Sequence, residues 1–264
     1  MIVPMQKVTV LCLAGERDRA LQSLGELGVV HLVPLGATED ADLNKCRDDL
    51  VQTRRALALL KTYAADHAAA SAAQPIRDVP AAIRECLDAD RQYQIALEEA
   101  AVLEDAIATQ LPYGDFDPAL ARDVAAGGVR VALCHAGNEA DIDVPAGAVC
   151  TVLQSGKAGV YYALAGVFEG PVVDERPMPE RSVNALRSDR ATIAARVDAL
   201  EKKLRALADA IPAIREYAQR LDVRRAFCEA RAGMGANQTV AYLQGFCPKP
   251  DSAALRAEAV RHGW

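Results

Sequence analysis

Aromatic residues are scarce in this sequence: Phe, Tyr and Trp supply only 5% of 264 residues, although half the chain is apolar. A pocket that grips a flat substrate, or a surface that stacks bases, draws on more of them. A basic excess is also missing. Thirty Lys and Arg stand against 36 Asp and Glu, a net −6, which argues against a nucleic-acid binder. The seven cysteines (12, 46, 86, 134, 150, 228 and 247) are scattered, odd in number and never spaced C-x-x-C, unlike a disulfide framework or a zinc site. They are expected as reduced thiols, mostly small buried hydrophobes. No stretch reaches the roughly 18 apolar residues of a membrane span. The opening MIVPMQKVTVLCLAGERDR has Gln6 and Lys7 inside its apolar part and is no secretory signal. These absences lead us to expect a soluble cytosolic chain with no metal, no cofactor and no catalytic residue.

Alanine, Leu, Arg and Glu are what the chain has in quantity, and these favour long helices. Residues Lys7 to Leu13 read as a short β-branched strand closed by Ala14-Gly15. Glu16 to Leu27 follow as a helix with Ala20, Leu21, Leu24 and Leu27 on one face, stopped by Gly28 in a left-handed cap. Val29 to Val33 is a second strand, ended by Pro34. This β-α-β unit has no sheet partner nearby in sequence. The tail offers one: Thr239 to Leu243 as a strand, Gly245 to Pro250 as a turn, then a helix capped by Asp251 or Ser252 that packs Leu255, Ala259 and Val260.

Between these ends lie two long helical stretches. From Thr38 to about Leu111 the stripe passes through Leu43, Leu50, Leu57, Leu60 and Ala64. It is interrupted at Gln74-Pro75 and Val79-Pro80, then resumes through Ile83, Leu87, Tyr93, Leu97, Ile107 and Leu111 until LPYGDFDP breaks it. Strands are expected at Val129 to Cys134, Ala148 to Leu153 and Val160 to Ala165, with a hairpin at Gly156 and Gly159. Pro171, Pro177 and Pro179 close that region, and a return helix starts near Ser182. Ile193, Val197, Leu200, Leu204, Leu207, Ile211, Ile214, Ala218 and Leu221 form a heptad seam along it. Residues 37–110 hold 8 Lys and Arg against 14 Asp and Glu; residues 180–231 hold 12 against 8. Opposite charge favours pairing of the two stretches, though each exposed pair adds little. Pro212, inside the seam, is expected to kink the helix.

The fold class expected is α+β: a dumbbell of two small ferredoxin-like α/β lobes joined by a long antiparallel helical coiled coil. The boundaries are 1–37 with 236–264 for one lobe, 38–111 for the outgoing arm, 112–179 for a reduced distal lobe and 180–235 for the return helix. Some fifty helical residues at about 1.5 Å each span roughly 75 Å, a shape that bridges distance rather than enclosing a pocket.

Chemical motifs fare poorly. LQSGKAG (153–159) contains Ser-Gly-Lys, but Thr151 stands where a phosphate loop needs glycine, and a strand follows instead of a helix. GMGAN (233–237) runs helix to strand, the reverse of a dinucleotide site. Cys134 and His135 are adjacent on a strand and so face opposite ways. The acidic clusters Asp40-Asp42, Asp48-Asp49 and Glu98-Glu99 read as solvated helix faces; Arg215, Arg220, Arg224 and Arg225 read as a docking surface or a solubilising one. His31 sits on a strand with no second ligand or acid in view and is read as a structural histidine.

The two ends carry a family resemblance. MQKVTVLCLAGERDRALQSLGELGVVHLVPL resembles the opening of subunit I (subunit a) of V-type and archaeal-type rotary ATPases, where E-L-G-V-V-H-L is matched by Glu26 to Leu32. TVAYLQGFCPKPDSAALRAEAV is similar to that family's return segment, with Gly245, Phe246 and Pro248 in its Gly-aromatic-x-Pro turn and Phe where Trp is commoner. The resemblance implies the N-terminal cytoplasmic half of a stator subunit, a non-enzymatic strut of an ion-transporting, ATP-synthesising complex. It links peripheral-stalk heterodimers to the membrane proton-translocating sector, lies near the central-stalk cap subunit and resists torque. It implies a C-terminal membrane domain beyond Trp264, a place on the cytoplasmic face of the membrane, and a monomer in isolation. Structural roles fall to Gly28, His31, Gly245, Phe246, Pro248, Leu200, Leu204, Leu207 and Pro212. Family members carry a fuller middle lobe; this chain lacks one of its helices between Cys134 and Ala148. Two rivals remain. One is an ACT-like ligand-sensing module binding a small metabolite at Ala14-Gly15. The other is a coiled-coil arm that grips RNA.

Overall fold

The computed structural model describes residues 3–35, 40–64 and 78–264. The expected arm start at Thr38 and the break at Gln74-Pro75 lie outside them. Long helices and antiparallel sheets alternate along the chain, and it divides into two compact units, residues 1–87 with 205–264 and residues 88–204.

In the first unit, β1 (Met5–Leu13) leads through a 3₁₀ turn into α1 (Arg17–Leu27). Gly28 ends α1 in the left-handed region (φ 67°), its N–H donating to the Leu24 carbonyl. β2 is short, His31–Val33. The tail supplies the missing sheet partner: β8 (Val240–Pro248) inserts between β1 and β2 and runs antiparallel to both. The expected turn at Gly245 to Pro250 is therefore corrected. Gly245, Phe246 and Pro248 are the last residues of a nine-residue strand, and chain reversal waits for Lys249–Asp251. Gly245 is in the strand because β2 comes close. A Cβ there would meet the His31 carbonyl oxygen at 2.5 Å and Val30 Cγ1 at 2.9 Å. Pro248 is tolerated because it is the strand's final residue. A short β7 (Gly235–Ala236) also pairs with β8.

Alternate residues of this sheet, Val10, Cys12, Ala241, Leu243 and Cys247, pack with Leu21 and Leu24 of α1 and Leu255 of α7 (Ser252–His262). Val260, expected on that packed face, is 84% exposed. Two helices complete the unit's described core. α2 (Ala41–Ala64) buries Leu43, Cys46, Leu50, Thr53, Ala56 and Leu60, and α6 (Ile211–Ala232) buries Ile214, Ala218, Leu221 and Cys228.

α3 (Val79–Gln110) contributes its first residues to this unit and the rest to the second. Val79-Pro80 does not interrupt a helix; it starts one, with Asp78 accepting from the Ala81 N–H. α3 gives way at Leu111–Tyr113 to a 3₁₀ turn, and α4 (Pro118–Ala126) follows. No element was expected there. Its signal is Asp117-Pro118, an N-cap carboxylate accepting from the Ala119 N–H before a proline at the first helical position. β3 (Arg130–Ala136), β4 (Ala148–Gly156), β5 (Gly159–Gly166) and the two-residue β6 (Glu175–Arg176) form an antiparallel sheet in the order β4-β5-β3-β6. The hairpin between β4 and β5 closes at Gly156 opposite Gly159, as the two glycines implied. Gly159 has φ 115°, and a Cβ would sit 2.5 Å from the Ala136 carbonyl. Ala132, Cys134, Ala136, Tyr162, Leu164 and Phe168 make the core. Between β3 and β4 only a 3₁₀ turn, Glu139–Asp141, is present.

The return stretch is not one kinked helix. α5 (Val183–Leu207) begins with Ser182 Oγ accepting from the Ala185 N–H. It ends in a 3₁₀ turn at Ala208–Ala210, after which α6 starts. Pro212 stands in the first turn of α6, where its missing N–H costs no helical bond. A junction replaces the expected kink.

Candidate docking surfaces

Five of the nine expected structural residues, Gly28, His31, Gly245, Phe246 and Pro248, lie at or beside the sheet of the first unit. β8 places Phe246 opposite His31 and Gly245 opposite Leu32, so the two sequence stretches that carry the resemblance are hydrogen-bonded neighbours. His31 is exposed on the edge strand. Gly28 caps the helix just ahead of it, and Pro248 ends the central strand opposite Met5. Leu200 and Leu204 are buried on α5 and Leu207 is half-buried. All nine seam positions are buried or half-buried.

Within the first unit α2 and α6 run antiparallel, since Arg47 pairs with Glu229 (3.3 Å) and Arg54 with Asp222 (3.0 Å). Cys46 and Leu50 lie against Ala218 and Leu221. Where α6 ends, Arg231 is half-buried beside the start of α2. Its guanidinium reaches Asp40 at 2.9 Å and Asp42 at 2.7 Å. Burial disfavours the Asp40 charge, but Arg231 and the amides of Leu43 and Asp42 outweigh it and hold the carboxyl below its usual range. Arg231 is held protonated most by its hydrogen bonds to Asp42 and Asp40.

In the second unit α3 and α5 also run antiparallel, with Glu99 to Arg196 at 3.3 Å and Glu104 to Arg190 at 3.0 Å. Ile95, Val102, Leu103 and Ile193 line an open groove of about 540 Å³ between them. A second groove, about 500 Å³, lies in the first unit between α1, β2 and α6, walled by Leu24, Val30, Leu32, Val223 and Phe227. A third cavity, about 700 Å³, is lined by Gln110, Tyr113, Leu133, Arg176 and Met178. Tyr113 Oη beside it is buried without a hydrogen-bond partner among the described residues. Its phenol is pushed up by burial, with Arg176 opposing. The seam and stripe do not point to these hollows, because most of the lining residues lie outside both, Ile193 of the seam excepted.

Among the described residues no group of three or more His, Cys, Asp and Glu is placed to hold a metal ion. Cys134 is fully buried, while His135 on the opposite face holds Nε2 2.9 Å from the Ala158 carbonyl oxygen, a hairpin contact. Burial pushes the thiols of Cys12, Cys46, Cys134, Cys150 and Cys247 up, away from the thiolate form a nucleophile or metal ligand needs. Burial likewise pushes the Tyr162 phenol up to about 12. LQSGKAG is the end of β4 with its hairpin turn, and GMGAN runs from the end of α6 through β7. The acidic pairs Asp48-Asp49 and Glu98-Glu99 lie on α2 and α3. Arg220 pairs with Glu216 and Arg225 with Glu229 along α6 itself. No helix of the described residues is long and apolar enough to cross a membrane.

No protein-family model matches the sequence, and no curated protein matches it. Among solved structures the chain is similar to the crystal structure of the cytoplasmic N-terminal domain of subunit I, homolog of subunit a, of V-ATPase. The match has 16% identity, a TM-score of 0.35 and 97% coverage of each chain.

Proposed function

We propose that this chain is a stator element, the cytoplasmic N-terminal part of subunit I (subunit a) of a V-type or archaeal-type rotary ATPase. In this role it is a non-catalytic strut. It joins peripheral-stalk heterodimers to the proton-translocating membrane sector, lies near the central-stalk cap subunit, and resists the torque that rotation puts on the ATPase head. It works at the cytoplasmic face of the membrane, ahead of a membrane domain of its own. In isolation it is a monomer, a dumbbell with ferredoxin-like lobes on a helical shaft.

The observation that carries this reading is the insertion of β8 between β1 and β2. Two stretches over 200 residues apart, each resembling the same family, become one sheet with His31 opposite Phe246. A chain whose ends close one lobe sends out and brings back everything between them, which is the covalent plan of a strut. Mechanically, antiparallel helices locked by buried side chains transmit load because each sliding step would expose apolar surface.

Binding and shape test it together. The purified chain is expected to bind the peripheral-stalk heterodimer of its own organism in size-exclusion chromatography and to scatter X-rays as an elongated monomer. A compact particle with no stalk binding would overturn the proposal. So would a rise in melting temperature with any free amino acid, which belongs to the ligand-sensing alternative.

A further inference from the structure

Among the described residues, one face of the first unit's sheet carries the packed core and the other leaves large side chains exposed. Val10, Cys12, Ala241, Leu243 and Cys247 point to α1 and α7, so their sequence neighbours point away from them. On β1 the outward set includes Lys7, Leu11 and Leu13; on β8, Tyr242 and Phe246; on β2, His31 and Val33. Leu11 is 53% exposed, Leu13 58%, Tyr242 40% and Phe246 41%. The register gathers these residues into rows. Lys7, Phe246 and His31 lie side by side across the three strands, Thr9, Gln244 and Val33 form the row two residues along, and Leu11 lies beside Tyr242 four residues along. Tyr242 also lies over β7, where a Cβ on Gly235 would come within 2.7 Å of its ring. The glycine lets the ring lie flat and stay in place, a pre-set aromatic anchor of the kind that dominates binding energies.

We propose that this open face is a docking site for an amphipathic α-helix of a partner protein, apolar along its centre and flanked by Asp and Glu. Charge decides the flanks. The chain carries an excess of carboxylates, yet none of the outward positions of β1, β2 and β8 is acidic. The charged side chain there is Lys7, beside Phe246, and it has no ion-pair partner among the described residues; His31, across Phe246 from it, offers a ring N–H that can donate to a carboxylate. Dimensions decide the shape. Three strands about 4.8 Å apart put the outer two about 10 Å from each other, the width of one helix. A nine-residue strand gives roughly 30 Å of length, about twenty helical residues. A second copy of the chain fits less well, because this face holds no carboxylate that could pair the Lys7 of another copy. Single-stranded nucleic acid fits less well too, since it needs a cationic track, and here Leu11, Leu13 and Val33 occupy that space. The proposal does not depend on the stator reading; it takes its partner from the chemistry of the face.

The test uses the full chain and two fluorescent helical peptides of about twenty residues with the same leucine stripe, one flanked by Glu and the other by Lys. Fluorescence anisotropy is expected to show the Glu-flanked peptide binding at least about tenfold tighter. Lys7→Glu should abolish that preference. Leu11→Ser with Tyr242→Ser should weaken binding by about tenfold or more while leaving the far-UV spectrum unchanged. Val223→Ser, in the groove beside α6, should leave binding as it was and serves as the control. Preference for the Lys-flanked peptide, binding indifferent to the Leu11 and Tyr242 changes, or no saturation by about 100 μM would each overturn the proposal. Self-association lost on Leu11→Ser would assign the face to a second copy, and retention of a single-stranded oligonucleotide would assign it to nucleic acid. Either result overturns it as well.

Discussion

The two antiparallel helix pairs solve the same problem in opposite ways. In α2 and α6 the buried positions include small residues, Cys46, Thr53, Ala56, Ala218 and Cys228, and the backbones come close. In α3 and α5 the backbones stay farther apart, and larger residues such as Ile95, Val102 and Ile193 line an open groove. The charges differ too. Summed over residues, the outgoing stretch is acidic and the return stretch basic. The α3–α5 pairs obey that sign, with Glu99 and Glu104 facing Arg196 and Arg190. The α2–α6 pairs reverse it, with Arg47 and Arg54 on the acidic stretch facing Glu229 and Asp222. Net charge therefore describes a helix without fixing its register; local packing sets which charges meet, and rim charges adapt to it.

The largest break in this comparison should come from a charge in a sealed position. Leu204 is fully buried, so Leu204→Asp should cost about 4 kcal/mol or more in urea unfolding. An unchanged midpoint would deny the seam. Truncation separates the two pairs next. Leu60→Ala on α2 removes a fully buried side chain and should cost about 3 kcal/mol, whereas Val102→Ala on α3, at the groove, should stay within about 0.5 kcal/mol. Enlarging reverses the logic: Ala56→Leu should destabilise by about 2 kcal/mol through overpacking, and Val102→Leu should be neutral.

Arg231→Ala tests the polar lock at the end of α6 and should cost about 2 kcal/mol, because it strands the half-sheltered Asp40. It also has a pH signature. The folded Asp40 carboxyl sits below its usual range, so its contribution is present above the unfolded value of about 3.9 and is lost as pH falls through the folded one. Acid unfolding of the parent chain should show this loss below pH about 4, and the variant should show less of it.

The sequence made the large elements plain where large apolar residues kept a period. The heptad from Ile193 to Leu221 is buried or half-buried throughout, and β1 and α1 lie within two residues of expectation. It misled where small residues do the packing. On α3 the buried positions include Ala82, Cys86, Ala89 and Ala96, while Leu97 and Leu111 on the expected stripe are exposed. Counting bulky side chains shifts the phase of an alanine-lined face. Gly245 and Pro248 misled for a related reason. Both read locally as a turn, and only the approach of β2 makes a glycine fit a strand there. The open sheet face was hidden because alternation shows which residues share a face, not which face a helix covers.

The smallest expected effect tests the charge comparison most directly. Exposed pairs such as Glu99 and Arg196 are worth about 0.5 kcal/mol, so Glu99→Arg alone should lower stability by about that much. Adding Arg196→Glu should restore most of it. The same exchange at Arg54 and Asp222 should behave alike although the starting signs are opposite. If α2–α6 recovers and α3–α5 does not, the acidic and basic bias of the second unit reflects a fixed field rather than rim pairs. In that case salt should weaken the α3–α5 effect within a Debye length of about 10 Å at 0.1 M and leave α2–α6 untouched. Equal recovery in both pairs would mean that apolar packing sets both registers and that the charges are interchangeable trim.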